Sequence, residues 1–186
     1  MLAHSRAQPR SEMAPPADEG PSVDDLTLPE PAVRGAGVLE LIKFVQRVHE
    51  FRISVFGHFD DAYERLVTVG DADGYPACVE RFRPKFAALD GDLERVAMRL
   101  DALQQPPLGA LARSILRSER KRFDAKLEEQ VLRQRLSITD LEDDERPALK
   151  QQVQQKGAAL AAQAAAVEEA LEELRAEAAD AEDEED

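Results

Sequence analysis

Six cations, Arg113, Arg117, Arg120, Lys121, Arg122 and Lys126, crowd a stretch whose apolar residues recur with a helical period, so a helix would carry them along one side. Used as phosphate contacts, each would add about one unit to the salt dependence of nucleic-acid binding. The surroundings argue otherwise. No Tyr or Trp lies between the cations for base stacking, Glu119 and Asp124 interrupt them, and residues 139–186 hold sixteen acids against four cations. The run therefore reads as a solvated or internally paired face, and the interaction such a face would serve is with an acidic protein.

His49 and His58 stand nine residues apart, near Glu50, Asp60 and Asp61. Metal ligands on one helix need three- or four-residue spacing, whereas nine residues is two and a half turns and sends the rings to opposite faces. Cys78, beside Tyr75 and Pro76, would gain thiolate character at a helix start, but without a histidine placed by a motif it reads as a packed small residue. Paired carboxylates such as Asp60 with Asp61, or Glu168 with Glu169, fall on polar helix faces, where nothing would separate their pKa values for acid-base work. Phosphate loops, nucleophile elbows and zinc-finger spacings are missing from the sequence, so no catalytic residue, metal ligand or cofactor is expected.

The elements that must position these groups are long helices. Val79, Phe82, Phe86, Leu89, Leu93, Val96, Leu100 and Leu103 alternate spacings of three and four residues, which gives a helix one narrow apolar seam. Such a helix needs partners, because ordering each residue costs about 1 to 2 kcal/mol and burying each seam side chain returns about 1.5 to 3 kcal/mol. Pro84 lies in the opening of that pattern and predicts a kink or a fresh start there. From Val38 to Val67 the same spacing returns with Val38, Leu41, Val45, Val48, Arg52, Val55, Phe59, Ala62 and Leu66, widened by Ile42, Phe56 and Tyr63. A wide stripe suits a helix flanked on two sides. Gly57 inside it costs about 1 kcal/mol unless a neighbouring helix approaches closely.

Gly70, Asp71, Asp73 and Gly74 turn the chain, and Gln104 to Pro107 break it again. A third helix is expected over Leu108–Leu136, its stripe thinning between Leu116 and Phe123 where the cations arrive. Thr139 and Glu142 have capping-box spacing ahead of a fourth, alanine-rich and loosely packed helix through Leu149, Val153, Leu160, Val167, Leu171 and Leu174. Residues 1–32 contain six of the eleven prolines and read as a disordered leader, with a faint transit-peptide character and no secretory signal. Residues 176–186 are almost wholly Ala, Glu and Asp and read as an acidic disordered tail. The domain between them, 33–175, is predicted to be an all-α, elongated up-and-down bundle or coiled coil of three to four helices.

The totals agree. A 186-residue chain with 43% apolar but only 5% aromatic residues, 33% charged residues and no Trp suits one domain of helices packed through Leu, Val and Ala. A net charge of -14 opposes direct nucleic-acid contact and attraction to anionic lipid. One cysteine allows no internal disulfide and no apolar run is long enough to span a bilayer, so an intracellular protein without a transmembrane segment is expected. A homo-oligomer could bury the same stripes as a monomer.

Several phrases resemble the Required-for-excision B family of small helical proteins. They are Leu41-Ile-Lys-Phe-Val-Gln-Arg-Val-His49-Glu in the first helix, Gly74-Tyr-Pro76 with Phe82 six residues past the proline, the Gln105-Pro-Pro-Leu108 break, and the helical close through Leu171 and Leu174. The resemblance covers roughly residues 38 to 175 and brings no catalytic motif. It implies a nuclear, non-catalytic accessory role in DNA excision repair, with repair factors as protein partners. The basic third helix and the acidic tail fall outside the family pattern. An alternative from a different class is a structural coiled-coil adaptor of a cytoskeletal or transport assembly, which the seam would serve equally well.

Overall fold

A computed structural model describes Val33, residues 35–137 and residues 145–183. Its described residues form four α-helices and no strand: α1 Val38–Val69, α2 Tyr75–Ala102, α3 Pro106–Ser137 and α4 Glu145–Asp183. The shortest has 28 residues, about 42 Å at 1.5 Å per residue, so the bundle is elongated as expected. The leader at 1–32 and the Thr139–Glu142 capping box lie outside the described residues.

Two tight turns set the order of the first three helices. After α1, Gly70 adopts φ 72°, and the N–H of Asp71 donates to the Leu66 carbonyl at 2.9 Å. After α2, Gln104 takes the same left-handed conformation at φ 62°, and the Gln105 N–H donates to the Leu100 carbonyl at 2.9 Å. Both are Schellman closures, one with the glycine that this backbone favours and one without. Chains reversed this tightly put α2 against α1 and α3 against α2. The fourth helix lies chiefly along α3 and meets α1 over a shorter length.

The α2 seam is the centre of the packing. Val79, Phe82, Phe86, Leu89, Leu93, Val96 and Leu100 are all buried between α1 and α3. Leu103 departs from the expected set: α2 ends at Ala102, the chain turns at Leu103, and its side chain is only partly buried against the core. Of the kink or fresh start expected at Pro84, the fresh start does not occur, since α2 runs through it. Both Pro84 and Glu80, whose carbonyl loses its partner, are on the exposed face, where solvent can reach the free oxygen.

Across the middle of the bundle, Phe56 and Phe59 of α1, Phe82 and Phe86 of α2 and Phe123 of α3 form one aromatic cluster, the closest rings being Phe86 and Phe123 at 4.4 Å. Gly57 does not mark a close approach, because a Cβ there would meet nothing within 4 Å. Gly109 does mark one. A Cβ on it would stand 3.1 Å from the Ala97 carbonyl oxygen, so α3 crosses α2 closely at that point.

The fourth helix corrects one expectation. Its second half is not loosely packed, because Val167, Ala170, Leu171, Leu174 and Ala178 are buried, Val167, Leu171 and Leu174 completely. Val153 and Leu160 in the first half are half-buried, as a loose helix would have them. The helical backbone reaches Asp183. Ala178 gives that segment the apolar anchor that its acids lack, and alanine's high helix propensity carries the rest.

Candidate functional site

The thinned section of the α3 stripe is where the charged interior begins. His49 and Arg52 lie three residues apart on the inner face of α1, one turn from the aromatic cluster. Opposite them α3 presents Glu119, whose side chain is 1% exposed. The Arg52 guanidinium, also 1% exposed, brings its Nε to 3.1 Å from Glu119 Oε2. Neither atom has an aligned hydrogen bond, so this contact is an ion pair alone. Arg52 uses its two terminal nitrogens elsewhere: Nη1 donates to Asp90 of α2 at 2.6 Å, and Nη2 to the Glu119 main-chain carbonyl at 3.3 Å. One side chain of α1 thereby ties α2 to α3.

His49 ties α3 to α4. Its Nδ1 lies 3.1 Å from Glu119 Oε1 and its Nε2 lies 3.1 Å from Glu168 Oε1. The hydrogen bond to Glu119 raises the His49 pKa above 6.5, burial works against it, and Glu168 adds a smaller push upward. His58 is half-exposed on another face, as the nine-residue spacing requires. Among the described residues no three His, Cys, Asp or Glu side chains are grouped as a metal site.

Four of the six cations singled out in the sequence are paired with acids. Arg113 pairs with Asp101 of α2, and Arg120 donates through Nε to Asp90 at 2.8 Å, which raises the Arg120 pKa. Arg122 lies 3.8 Å from Glu119 and 4.7 Å above the Phe56 ring. Lys126 reaches Asp60 of α1 at 2.8 Å and Glu129 at 3.4 Å. Arg117 and Lys121, one turn apart, are exposed and pair with no other described residue. The run thus divides into four structural cations and an open pair.

A second polar patch occupies the lower half of the bundle, where α3 turns its stripe outward. Gln130 is fully buried and Glu129 nearly so, although the sequence places Leu127, Val131 and Leu132 on the inner stripe. Tyr63 donates to the Gln130 carbonyl at 2.9 Å, Tyr75 to Gln130 Oε1 at 3.0 Å, and Gln130 Nε2 to Asp60 at 3.1 Å. Two buried hydroxyls need acceptors, and α3 rotates to supply them. Burial pushes the Tyr63 hydroxyl up to about 12 and that of Tyr75 higher still, so both remain donors.

The displaced apolar residues line an open groove of about 610 Å³ between α2 and the first half of α4, floored by Leu127, Val131 and Leu132 and walled by Tyr75, Pro76 and Val79. Its polar rim pairs Lys156 with Glu128 and Arg83 with Glu80. Cys78 lies near the groove wall, half-buried, and burial raises its thiol pKa despite Arg81 and Arg65 nearby. That is the behaviour of a packed residue, not of an activated thiol.

Glu119, Asp90 and Glu168 were not singled out by sequence reasoning as one cluster. A signal for Glu119 existed: Arg52 stands at a seam position of α1, which calls for an acid opposite, and the α3 stripe breaks where that acid sits. No protein-family model, curated protein or solved structure matches the chain. No helix among the described residues is long and apolar enough to cross a membrane.

Proposed function

We propose that this protein is a non-catalytic accessory factor of DNA excision repair that works through protein contacts along its helices. The observation that carries the non-catalytic part is the use made of the ionisable groups. His49, Arg52, Asp90 and Glu119 are each held by a neighbouring helix, in positions where they fasten the bundle. Groups engaged this way support structure better than they support acid-base chemistry. The open features are of another kind. Arg117 and Lys121 present a compact pair of charges on α3 suited to an acidic protein surface, and nuclear repair factors are the partners in this reading.

The repair assignment rests on the resemblance of the first-helix phrase and the helix order. Of that phrase, Leu41, Ile42, Phe44, Val45, Val48 and His49 are buried, so most of it serves packing. Capture of associated proteins from cells with and without ultraviolet damage tests the assignment: repair factors gained on damage support it. Recovery of tubulin, motor or coat components with no repair factor replaces it with the coiled-coil adaptor reading, which the 39-residue length of α4 favours.

A further inference from the structure

We propose that His49 is a pH-sensitive latch that holds the second half of α4 against α1 and α3. The argument is one of donors. A neutral imidazole has a single N–H, and an ionised carboxylate can only accept. Both ring nitrogens of His49 lie 3.1 Å from a carboxylate oxygen, one on α3 and one on α4. With Glu119 and Glu168 ionised, both contacts are hydrogen bonds only when the ring carries two protons. Remove one proton and a nitrogen lone pair faces a carboxylate oxygen, so one of the two helices loses its tie.

Which tie yields follows from the surroundings. Glu119 is 1% exposed and is also approached by Arg52 at 3.1 Å and Arg122 at 3.8 Å, so it stays in place when His49 becomes neutral. Glu168 is 54% exposed, and turning toward water costs it little. The charged groups around the ring are therefore Arg52 on α1, Asp90 on α2 acting through Arg52, Glu119 and Arg122 on α3, and Glu168 on α4. Only the α4 contact is free to open. Val167 and Leu171, on either side of Glu168 in sequence, are fully buried, so opening this contact loosens an apolar face that is otherwise sealed.

The direction is fixed by linkage. Of the upward push on the His49 pKa, only the part from Glu168 is lost when α4 opens, so the contact's contribution is complete below the pKa of the open form and is lost as pH rises through that of the closed form. The latch is closed on the acid side and released on the alkaline side.

The test uses the full chain and two readouts across this range. Ring resonances give the His49 pKa, and amide exchange over 167–178, corrected for intrinsic chemical rates, gives the opening of α4. The opening constant is expected to rise with pH tenfold for each unit by which the His49 pKa of the parent exceeds that of Glu168→Gln, since Glu119 stays on the ring when α4 opens. Glu168→Gln, on an exposed side chain, is expected to lower the His49 pKa and flatten the pH dependence of α4 while leaving α1–α3 protected. His49→Gln is expected to abolish that dependence. A His49 pKa that Glu168→Gln leaves unchanged, or an α4 pH dependence that Glu168→Gln leaves unchanged, overturns the latch. Should His49→Gln fail to fold, the Glu168→Gln comparison decides alone.

Discussion

The side chains of Arg52 and Glu119 meet at 3.1 Å with each only 1% exposed, which places a full ion pair inside the bundle next to the aromatic cluster. Such a pair is a poor source of net stability, because the cost of taking two charges out of water offsets their attraction. Breaking it is another matter. Glu119→Ala leaves Arg52 with Asp90 and a backbone carbonyl and strands the His49 contact, so a loss of about 3 to 5 kcal/mol is expected in urea unfolding. The double change Arg52→Met with Glu119→Leu is expected to lose less than Glu119→Ala alone, since His49 and Arg122 lose Glu119 in both and only the single variant keeps the buried guanidinium facing the gap. A larger loss in the double variant would mean that the pair itself supplies stability.

The seam gives a cleaner contrast. Leu93 is 1% exposed, and Leu93→Asp puts an unpaired charge among apolar side chains, with an expected loss of about 4 kcal/mol or more and of much of the helical circular dichroism. Neighbouring Glu94 has a 60% exposed side chain whose contact is Arg120 at 3.9 Å, and Glu94→Ala is expected to stay within about 1 kcal/mol of the parent. Equal effects would misplace the inner face of α2.

Much of this was legible in the sequence, and the reasons are specific. Alternating spacings of three and four from Val79 to Leu100 left one face for the core, and seven side chains in that series are buried. Periodicity worked there because the inward polar groups of α2, Asp90 and Asp92, fall between the seam positions and displace none of them. It failed in the second half of α3, where Gln130 had to meet the hydroxyls of Tyr63 and Tyr75 and turned Val131 out to 44% exposure. Hydrogen bonds between residues 55 and 67 positions apart leave no local spacing to read. The same holds for His49, whose partners are 70 and 119 positions away. Pro84 starts no new helix for a different reason: a proline on the wet face of a well-packed helix leaves the orphaned carbonyl to solvent, and the packing outlasts the local loss.

Two backbone changes are expected to stabilise the protein. Gly57 is in α1 with open space at its Cβ position, so Gly57→Ala is expected to add about 0.5 to 1 kcal/mol through helix propensity and a less flexible unfolded chain. Gln104 holds φ 62°, and Gln104→Gly relieves the strain of a side chain in that region, with an expected gain of up to about 1 kcal/mol. Thermal melts of the two variants and of their combination check both. A lower melting temperature for Gly57→Ala would place a partner surface against α1 at that point.

The division of the cations separates stability from contact. Arg113 and Lys126 hold acids on α2 and α1, so their removal should be felt in unfolding experiments. Reversing Arg117 and Lys121 together to Glu should leave unfolding within about 1 kcal/mol of the parent, because both are exposed. The double reversal is therefore the variant in which loss of function reports loss of contact.

The most direct measurement is the time course of ultraviolet photoproduct removal in cells lacking the protein, restored either with the parent chain or with the Arg117→Glu, Lys121→Glu chain. Removal is expected to be slow without the protein, to recover with the parent, and to stay slow with the doubly reversed chain at equal abundance. Normal removal in cells that lack the protein would contradict the account.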